Sequence, residues 1–314
     1  MNRTRDHNLK VAVCICTCGR PELLERLLLS LRQIELGALS PEEILIIVVD
    51  NDPDGRVRSI SGRVSASLSS ELLLAEEISR GRAFARNRAV SEAIARHAQF
   101  VAFIDDDDLP ASDWLQRLWE TQNESQADIV FGTEQTVIGA DWPGWLKDSI
   151  FFQSTGSEGV TKFSIPKGVS TFNVLIRCTV FERLNTAGFF FLPEFKKFED
   201  TDFFIRASRI HATFKHSEDS IIYRNFEPHR LTPPGLLNEA FFSGVYTMRL
   251  LQKHGSAVQI RKRRFKTLKR LFLSFFKLPT CFFSKTSLMN NLFLFCKEFG
   301  VLISSRLFDR RVNV

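Results

Sequence analysis

The sequence predicts an α/β fold with a mostly parallel, Rossmann-like central sheet flanked by helices and a C-terminal helical appendage. The first observation is a pair of nearly continuous apolar segments, Val11–Thr17 and Ile44–Val49, which are typical of strands covered on both faces. The second is the segment 22–33 between them, where leucines recur at helical spacing after Pro21. This strand-helix-strand order indicates a parallel sheet. The third is the composition of the last 55 residues, which are basic and rich in Phe.

The remaining elements follow in chain order. A weaker third strand is predicted at Leu72–Ala75, a helix at Gly81–His97 and a further strand at Phe100–Ile104. The second half is less regular, and we predict strands at Asp128–Phe131, Ser170–Ile176 and Ile221–Tyr223, with helices at Glu199–Ile210 and from about Gly235 to His254.

The composition excludes several classes of protein. Among 314 residues, 44% are hydrophobic and only 27 are Gly or Pro, which excludes a disordered chain, a collagen-like repeat and a disulfide miniprotein. Three of the six cysteines, Cys14, Cys16 and Cys18, alternate along the first strand, where they cannot bridge one another without distortion. A metal site is the alternative, but no zinc-ligand spacing follows. We therefore expect these cysteines to be buried thiols of the strand. The N-terminus is polar and has no secretory signal, so we expect the protein in the reducing cytoplasm.

Charge is distributed unevenly along the chain. Residues 260–314 contain thirteen Lys or Arg and two acids, a net charge of +11, so the rest of the chain carries −5 of the overall +6. The same 55 residues hold ten of the 30 Phe. We therefore predict two regions, a body over residues 1–255 and a basic, Phe-rich region over residues 256–314.

Polar residues collect where the predicted strands end: Thr17 and Arg20, then Asp50 and Asn51, then the run 105–108 of four aspartates. Ligands of open α/β sheets bind beyond the carboxyl ends of the strands. Four adjacent carboxylates repel one another unless a cation lies between them, and Mg²⁺ or Mn²⁺ completed by phosphate oxygens is the usual solution. The alternative is a solvated acidic turn that caps the next helix.

Five segments, in this order and spacing, resemble the inverting family 2 glycosyltransferases, which have the GT-A fold. The resemblance runs from about Val11 to Gly244 and is carried by VAVCICTCGRP, IIVVDNDPDG, GRAFARNRAV, FIDDDDLPASDWL and FEDTDFFIR. Within the family, DDDDLP-x₃-WL and the later EPHRLT are similar to bacterial exopolysaccharide glucosyltransferases of the succinoglycan type.

The resemblance implies roles for individual residues. Asp200 matches the catalytic base, and Asp107 with Asp105 would hold Mn²⁺ or Mg²⁺. Asp105 would also reach the ribose or a metal-bound water. The nucleotide and donor sugar would be bound by Thr17, Arg20, Asp50, Asn51, Arg86, Asp105 and Asp106. Phe198 stands where relatives often have Gly.

Further residues are expected on the acceptor side or in support of the site: Glu199, Asn173, Trp145 and His229. Each has an alternative interpretation. The acids at 199–202 are also typical of a helix N-terminus stabilised by its macrodipole. Trp145 could equally be a core residue, His229 an ordinary polar residue, and Arg86 a surface residue of its helix.

The C-terminal region predicts an amphipathic helix over residues 264–276, with apolar positions at 265, 268, 271, 272, 275 and 276. Such a helix with a cationic face lies in a membrane interface and is attracted by anionic lipid. Its apolar stretches are too short to span a bilayer. A soluble helical hairpin is the alternative, whereas the density of Phe argues against nucleic acid as the partner.

Together these features predict a cytoplasmic enzyme that is peripherally associated with the inner face of the cell membrane. It would transfer a hexose from a UDP-sugar, with UDP-glucose among the candidates, to a polyprenyl-diphosphate-linked saccharide in exopolysaccharide or cell-surface glycan synthesis. Two alternatives stay open: a catalytically silent module that binds UDP-sugar or docks on a membrane, and another metal-dependent nucleotide-sugar enzyme.

Overall fold

The computed structural model of the chain divides into two compact units, Met1–Thr136 with Gly156–Asn225 and Val137–Thr155 with Phe226–Val314. The predicted boundary between a catalytic body and a C-terminal region at residue 255 stays a prediction. The structure describes residues 9–58, 60, 64, 68–139, 142–150, 163–226, 228–281 and 284–308.

The strands of the first unit form one eight-stranded sheet in the order β3-β2-β1-β4-β7-β6-β8-β5. The first four of these strands are parallel, β7 is antiparallel to both of its neighbours, β6 and β8 are parallel, and β5 is antiparallel to β8. The predicted α/β class with a mostly parallel central sheet is thereby confirmed, and the structure adds that the sheet is mixed. The strands are β1 Val11–Thr17, β2 Ile44–Asp50, β3 Glu71–Glu76, β4 Phe100–Phe103, β5 Asp108–Pro110, β6 Ile129–Thr136, β7 Val174–Arg177 and β8 Phe214–Arg224.

Helices lie between and after these strands. Among the described residues they are α1 Pro21–Leu31, α2 Arg82–Ala95, α3 Trp114–Ser125, α4 Gly144–Lys147, α5 Cys178–Leu184, α6 Glu199–Arg209, α7 Pro233–His254, α8 Ala257–Cys281 and α9 Lys285–Phe308. Helices α1, α2, α3, α5 and α6 belong to the first unit, and the others belong to the second.

The core of the first unit lies where the central strands meet α1 and α3. Strand β2 is buried along its whole length. The leucines at helical spacing that predicted α1 include its buried residues, Leu24, Leu27, Leu28 and Leu31. They pack in one hydrophobic cluster with Trp114 of α3, whose side chain is fully buried. This packing fixes the end of β1 and the start of α1, between which Arg20 lies.

Strand lengths in the second half differ from the prediction. Strand β8 begins at Phe214 rather than Ile221, because its polar first part pairs with β6, which itself continues to Thr136. Conversely, β7 begins at Val174, and the predicted first residues from Ser170 form a turn instead. Of the three cysteines expected to be buried strand thiols, Cys14 is buried and Cys16 is partly buried, whereas Cys18 lies just beyond β1 and is exposed.

The second unit contains the long C-terminal helices. Helix α8 includes the predicted segment 264–276 and extends well beyond it. Helices α7 and α9 approach so closely that a Cβ atom on Gly244 would lie 1.8 Å from the Lys297 carbonyl oxygen, and one on Gly300 would lie 2.1 Å from the Phe241 carbonyl oxygen. In the described part of the chain, none of the helices combines the length and apolarity needed to cross a membrane.

Candidate active site

The carboxyl ends of three parallel strands meet at one edge of the first unit. Thr17, the last residue of β1, pairs in register with Asp50, the last residue of β2, and the Asn51 N–H donates to the Thr17 carbonyl oxygen at 2.9 Å. Strand β4 lies on the other side of β1 and leads directly into the aspartate run. The predicted convergence of Thr17, Asp50 and Asp105 is therefore a direct result of the sheet order.

Asp50 and Asn51 are both buried, but they differ in what they leave free. Asn51 Nδ2 donates to the carbonyl oxygens of Glu77 and Ser79 at 2.7 and 2.9 Å, and its Oδ1 accepts from the Gly81 N–H at 2.9 Å. Its amide therefore holds the loop between β3 and α2. Asp50 Oδ1 accepts from the Asp52 N–H at 2.9 Å.

The second oxygen of Asp50, Oδ2, is buried and has no hydrogen-bond partner among the described residues. Burial raises the pKa of Asp50 above its ordinary value. A buried acceptor without a donor is costly, and a ligand that donates to it would remove that cost. Of the two neighbours, Asp50 is the one with an acceptor oxygen left for a ligand.

The aspartate run lies between β4 and β5. Arg20 Nη1 donates to Asp107 Oδ2 at 3.0 Å, and its Nη2 donates to Asp106. One guanidinium thus binds two adjacent carboxylates. Burial raises the pKa of Asp106 to about 7, with Arg20 opposing the shift. One carboxylate oxygen from each of Asp105, Asp107 and Asp108 lies within 4.8 Å of the others.

Asp108 shows that this cluster suits a cation. Both of its carboxylate oxygens are buried without a hydrogen-bond partner among the described residues, and its nearest cation is Arg224, whose Nε lies 3.9 Å from Asp108 Oδ1. Burial raises the pKa of Asp108 to about 8, although Arg224 opposes the shift. Three convergent carboxylates, one of them unsatisfied, are the hard oxygen donors that Mg²⁺ and Mn²⁺ prefer. The residues present therefore fit a divalent ion.

Arg86 connects the aspartate run with the N-terminus of α6. Its Nη2 lies 3.4 Å from Asp105 Oδ1, and its Nη1 donates to Glu199. Both Arg86 and Glu199 are buried. Burial opposes the ionised Asp105 carboxyl, but Arg86 and the neighbouring arginines lower the pKa of Asp105 below its ordinary value. Arg86 is a buried residue with two carboxylate partners, not a surface residue of its helix.

Asp200 lies next to Glu199 in the first turn of α6. Its Oδ2 accepts from Ser170 Oγ at 2.9 Å, and its Oδ1 accepts from the Thr201 N–H at 2.7 Å. Phe198, the preceding residue, has φ +67°, a left-handed conformation that favours glycine. The family resemblance implied Gly at this position, and the left-handed backbone of Phe198 is the conformation that Gly would adopt there without strain.

Asn173 is part of the protein framework. Its Nδ2 donates to the Thr133 and Ser220 carbonyl oxygens at 3.1 and 3.0 Å, and its Oδ1 accepts from Trp114 Nε1 at 2.9 Å. These bonds join β6, β8 and α3. Because the amide is fully used within the protein, a supporting role is favoured over direct contact with an acceptor.

Trp145 and His229 belong to the second unit. Trp145 lies in α4 and packs against a small apolar cluster of Leu146, Leu231 and Leu236. The Lys285 Nζ lies 5.6 Å from the centroid of its ring. His229 lies in the short 3₁₀ helix Pro228–Leu231, and its side chain is outside the described ones. The acceptor-side roles of both residues stay predictions.

Three side chains that lie in the candidate site were not among the site residues predicted from the sequence: Asp108, Ser170 and Arg224. Asp108 had a signal, since it belongs to the run of four aspartates. Ser170 and Arg224 had none, because each reaches the site through a contact distant in sequence, 30 residues in the case of Ser170 and Asp200.

The chain is similar to proteins of a known family. The family model "Glycosyl transferase family 2" matches residues 12–184, more than half of the chain. The chain therefore belongs to glycosyl transferase family 2, and it is a glycosyltransferase. It is 27% identical over 255 residues to the succinoglycan biosynthesis protein ExoM of Rhizobium meliloti (strain 1021), which covers 80% of this chain and 78% of that protein.

Solved structures share the fold. A mannosyltransferase from Pyrobaculum calidifontis in complex with GDP-Man and Mn²⁺ matches with a TM-score of 0.65 and 15% identity, over 96% of this chain and 88% of that chain. S. aureus TarS in complex with UDP-GlcNAc matches with a TM-score of 0.52 and 19% identity, over 75% of this chain and 66% of that chain. A longer TarS structure matches with a TM-score of 0.53 and 20% identity over 74% of this chain, and the match spans 39% of the TarS chain. At these identities the likeness concerns the GT-A fold alone.

Proposed function

We propose that the protein is a metal-dependent, inverting hexosyltransferase that takes a sugar from a UDP-sugar donor and uses Asp200 as its catalytic base. The observation that carries the proposal is the Arg86 bridge. A single buried guanidinium pairs with Asp105 of the carboxylate cluster and with Glu199, the neighbour of Asp200. The bridge links the candidate metal site to Glu199, the residue that directly precedes the candidate base in α6, and this link supports the proposal.

The chemistry is a single displacement. The acceptor hydroxyl oxygen forms a bond to C1 of the sugar while the bond from C1 to the diphosphate oxygen breaks, and that electron pair leaves with UDP. Asp200 takes the proton of the acceptor hydroxyl. Ser170 and Thr201 hold the carboxylate in one orientation, which favours its role as a positioned base.

Asp105, Asp107 and Asp108 would hold Mn²⁺ or Mg²⁺ at the donor diphosphate. When bound, such an ion supplies positive charge that neutralises the charge developing on the departing diphosphate. Arg20 forms ion pairs with Asp106 and Asp107 and so restrains both carboxylates. The Mn²⁺ of the P. calidifontis mannosyltransferase complex supports this assignment.

The nucleotide would lie over the ends of β1 and β2, near Thr17, Asp50 and the loop that Asn51 organises. Uracil is the proposed base because TarS has been solved with UDP-GlcNAc and because the buried Asp50 Oδ2 can accept from a base N–H. A screen of UDP- and GDP-sugars for Mn²⁺-dependent release of nucleotide, with membrane extract as acceptor, tests the donor. Release from none of them would contradict the proposal.

The proposed acceptor is a polyprenyl-diphosphate-linked saccharide, made available at the inner face of the cell membrane. The similarity to ExoM, a succinoglycan biosynthesis protein, supports exopolysaccharide or cell-surface glycan synthesis. All six cysteines are free, in accord with a reducing, cytoplasmic compartment. The basic, Phe-rich region 256–314 would keep the enzyme at the membrane as a peripheral protein.

Substitution of the base separates an enzyme from a silent binding module. We expect Asp200→Asn to lower the transfer rate by roughly 10²–10⁴-fold, because the amide cannot take the proton, while UDP binding by calorimetry stays unchanged. The matched control is Asp219→Asn, which removes an exposed carboxylate of the same unit. A module without catalysis would show no difference between the two variants, and equal transfer by both would overturn the assignment of Asp200.

A further inference from the structure

Helix α8 has its polar side inward and its apolar side outward. Arg263, Thr267 and Ser274 are buried, whereas Phe265 and Phe272 are 73% and 63% exposed. A helix of a water-soluble domain has the opposite arrangement, with the apolar stripe toward the core. The exposed Phe side chains of α8 are therefore not covered by the rest of the second unit, and their exposure has to be explained.

The inward side is locked by charged hydrogen bonds to α9. Glu298 is buried and accepts from Arg263 Nη1, Thr267 Oγ1 and Arg270 Nη1, each at 2.7 Å. Burial opposes its charge, but these donors lower the pKa of Glu298 below its ordinary value. Rotation of α8 to bury its Phe side would leave this carboxylate buried without partners, at a large cost.

A second polar contact holds the same side of α8. Ser274 Oγ donates to Asn291 Oδ1 of α9 at 2.6 Å, and Asn291 Nδ2 donates to the Ser274 carbonyl oxygen at 3.0 Å. The two contacts lie along one stripe of α8, about two turns apart. They fix the rotation of the helix about its axis, and they fix which residues point outward.

The outward residues form one continuous apolar face. They are spaced i, i+3, i+7, i+10 and i+11, which places them on one side of a helix, and all five are exposed: Phe265, Leu268, Phe272, Phe275 and Phe276. Monomeric soluble proteins rarely expose an apolar patch of this kind without a partner. We call this set the α8 face.

Lysines line one edge of the α8 face. Lys262, Lys266 and Lys269 are exposed and lie three residues before, one after and four after Phe265, so they flank one edge of the face. The whole of Ala257–Cys281 contains no acidic residue. A second copy of the chain stacked on this face would bring like charges together, whereas an anionic bilayer offers opposite charge at its surface and hydrocarbon beneath it.

We infer that the α8 face is a membrane-interface surface that binds anionic lipid bilayers, with α8 lying in the plane of the bilayer. Phe and Leu side chains insert into the boundary between headgroups and acyl chains, and the flanking lysines contact anionic headgroups. This inference deepens the proposed function, since it names the surface that would bring the enzyme to a lipid-linked acceptor. Vesicle binding needs neither donor nor acceptor, so its failure is distinguishable from a failure of sugar transfer.

The test is flotation of the full chain with vesicles of phosphatidylcholine, with and without phosphatidylglycerol. We expect binding to the anionic vesicles that falls steeply with added salt, since exposed charges are screened. The double variant Phe272→Ser/Phe276→Ser removes two rings of the α8 face that contact each other, with centroids 4.5 Å apart. We expect its binding to fall roughly tenfold for each ring lost.

The matched control is Leu29→Ser, which removes a 45% exposed apolar side chain from α1 of the first unit and should leave vesicle binding unchanged. Lys266→Glu/Lys269→Glu tests the charged edge by substitutions that keep the apolar face intact, and it carries the test if the Phe variant does not fold. We expect it to abolish the preference for phosphatidylglycerol.

Three outcomes would overturn the inference. The first is that the wild type binds no vesicles, and the second is that it binds vesicles with and without phosphatidylglycerol equally well at all salt concentrations. Alternatively, sedimentation velocity shows self-association that Phe272→Ser/Phe276→Ser abolishes, which would make the α8 face a contact between copies.

Discussion

At the scale of single residues, the site is organised by arginines that each bind two acids. Arg20 pairs with Asp106 and Asp107, and Arg86 pairs with Asp105 and Glu199. The family resemblance implied that both arginines bind the nucleotide, and that role stays a prediction. The structure adds that they hold neighbouring carboxylates together, which would otherwise repel one another.

Removal of Glu199 tests this role at the buried pair. In Glu199→Ala the Arg86 guanidinium stays buried with Asp105 as its remaining close partner, and we expect a loss of about 3 kcal/mol in the free energy of unfolding. Urea denaturation followed by circular dichroism measures it. The control is Glu120→Ala, which breaks a surface ion pair with Arg117 in α3 and should cost less than about 1 kcal/mol. Equal losses in the two variants would contradict the assignment.

Residue identities alone indicated much of the candidate site. A run of four aspartates after an apolar strand indicated a cation site without any structure, because like charges at that density need a counter-ion. The family resemblance implied Asp105 and Asp107 as metal ligands, whereas the convergence of Asp108 with them was not predictable from the run itself. Asp106 is not part of this group and binds Arg20, as Asp107 also does.

At the scale of elements, the second unit depends on the close approach of α7 and α9. Gly244 and Gly300 lie at this contact, where each faces a backbone carbonyl of the opposite helix. Any side chain would push the helices apart. The apolar pattern predicted α7 itself but gave no sign of this contact.

Substitution at this crossing is expected to destabilise the second unit. In Gly244→Ala the new Cβ would meet the Lys297 carbonyl oxygen, so the helices must separate, and we expect a cost of about 2 kcal/mol or more. Thermal unfolding monitored by circular dichroism is the measurement. Gly144→Ala in α4 is the control, because a Cβ there would have no atom within 4 Å. An unchanged unfolding temperature in Gly244→Ala would show that the contact is not tight.

The predicted strand bounds were accurate where apolar runs were continuous and differed from the observed bounds in the less regular second half. The central strands β1 and β2 are buried and needed no context. Most of the additional residues of β8 are polar or charged, so its length depends on pairing with β6 rather than on its own composition. Tertiary contacts outweigh local preference in such a strand.

At the scale of the whole molecule, the carboxylate cluster predicts that metal and nucleotide stabilise the fold together. We expect Mn²⁺ with UDP to raise the unfolding temperature and EDTA to reverse the effect, since a ligand at one hundred times its Kd stabilises by about 2.7 kcal/mol. Asp107→Ala should lose most of this shift, whereas Asp219→Asn should keep it. A shift that EDTA leaves intact would show that the nucleotide binds without the ion.

Four features could be inferred without a structure: the α/β class, the carboxylates at the strand ends, the family resemblance, and the contrast between an acidic body and a basic, Phe-rich tail. These follow from local patterns of apolar and charged residues, which need no long-range contact to be recognised. Two features became visible only in the folded chain: Arg86 bridges to Glu199, 113 residues away, and α8 has its Phe side outward. Both depend on hydrogen bonds between segments distant in sequence, Arg86 with Glu199 and Arg263 with Glu298. The residues around one partner do not indicate which distant residue will be the other, so these contacts cannot be predicted from local patterns.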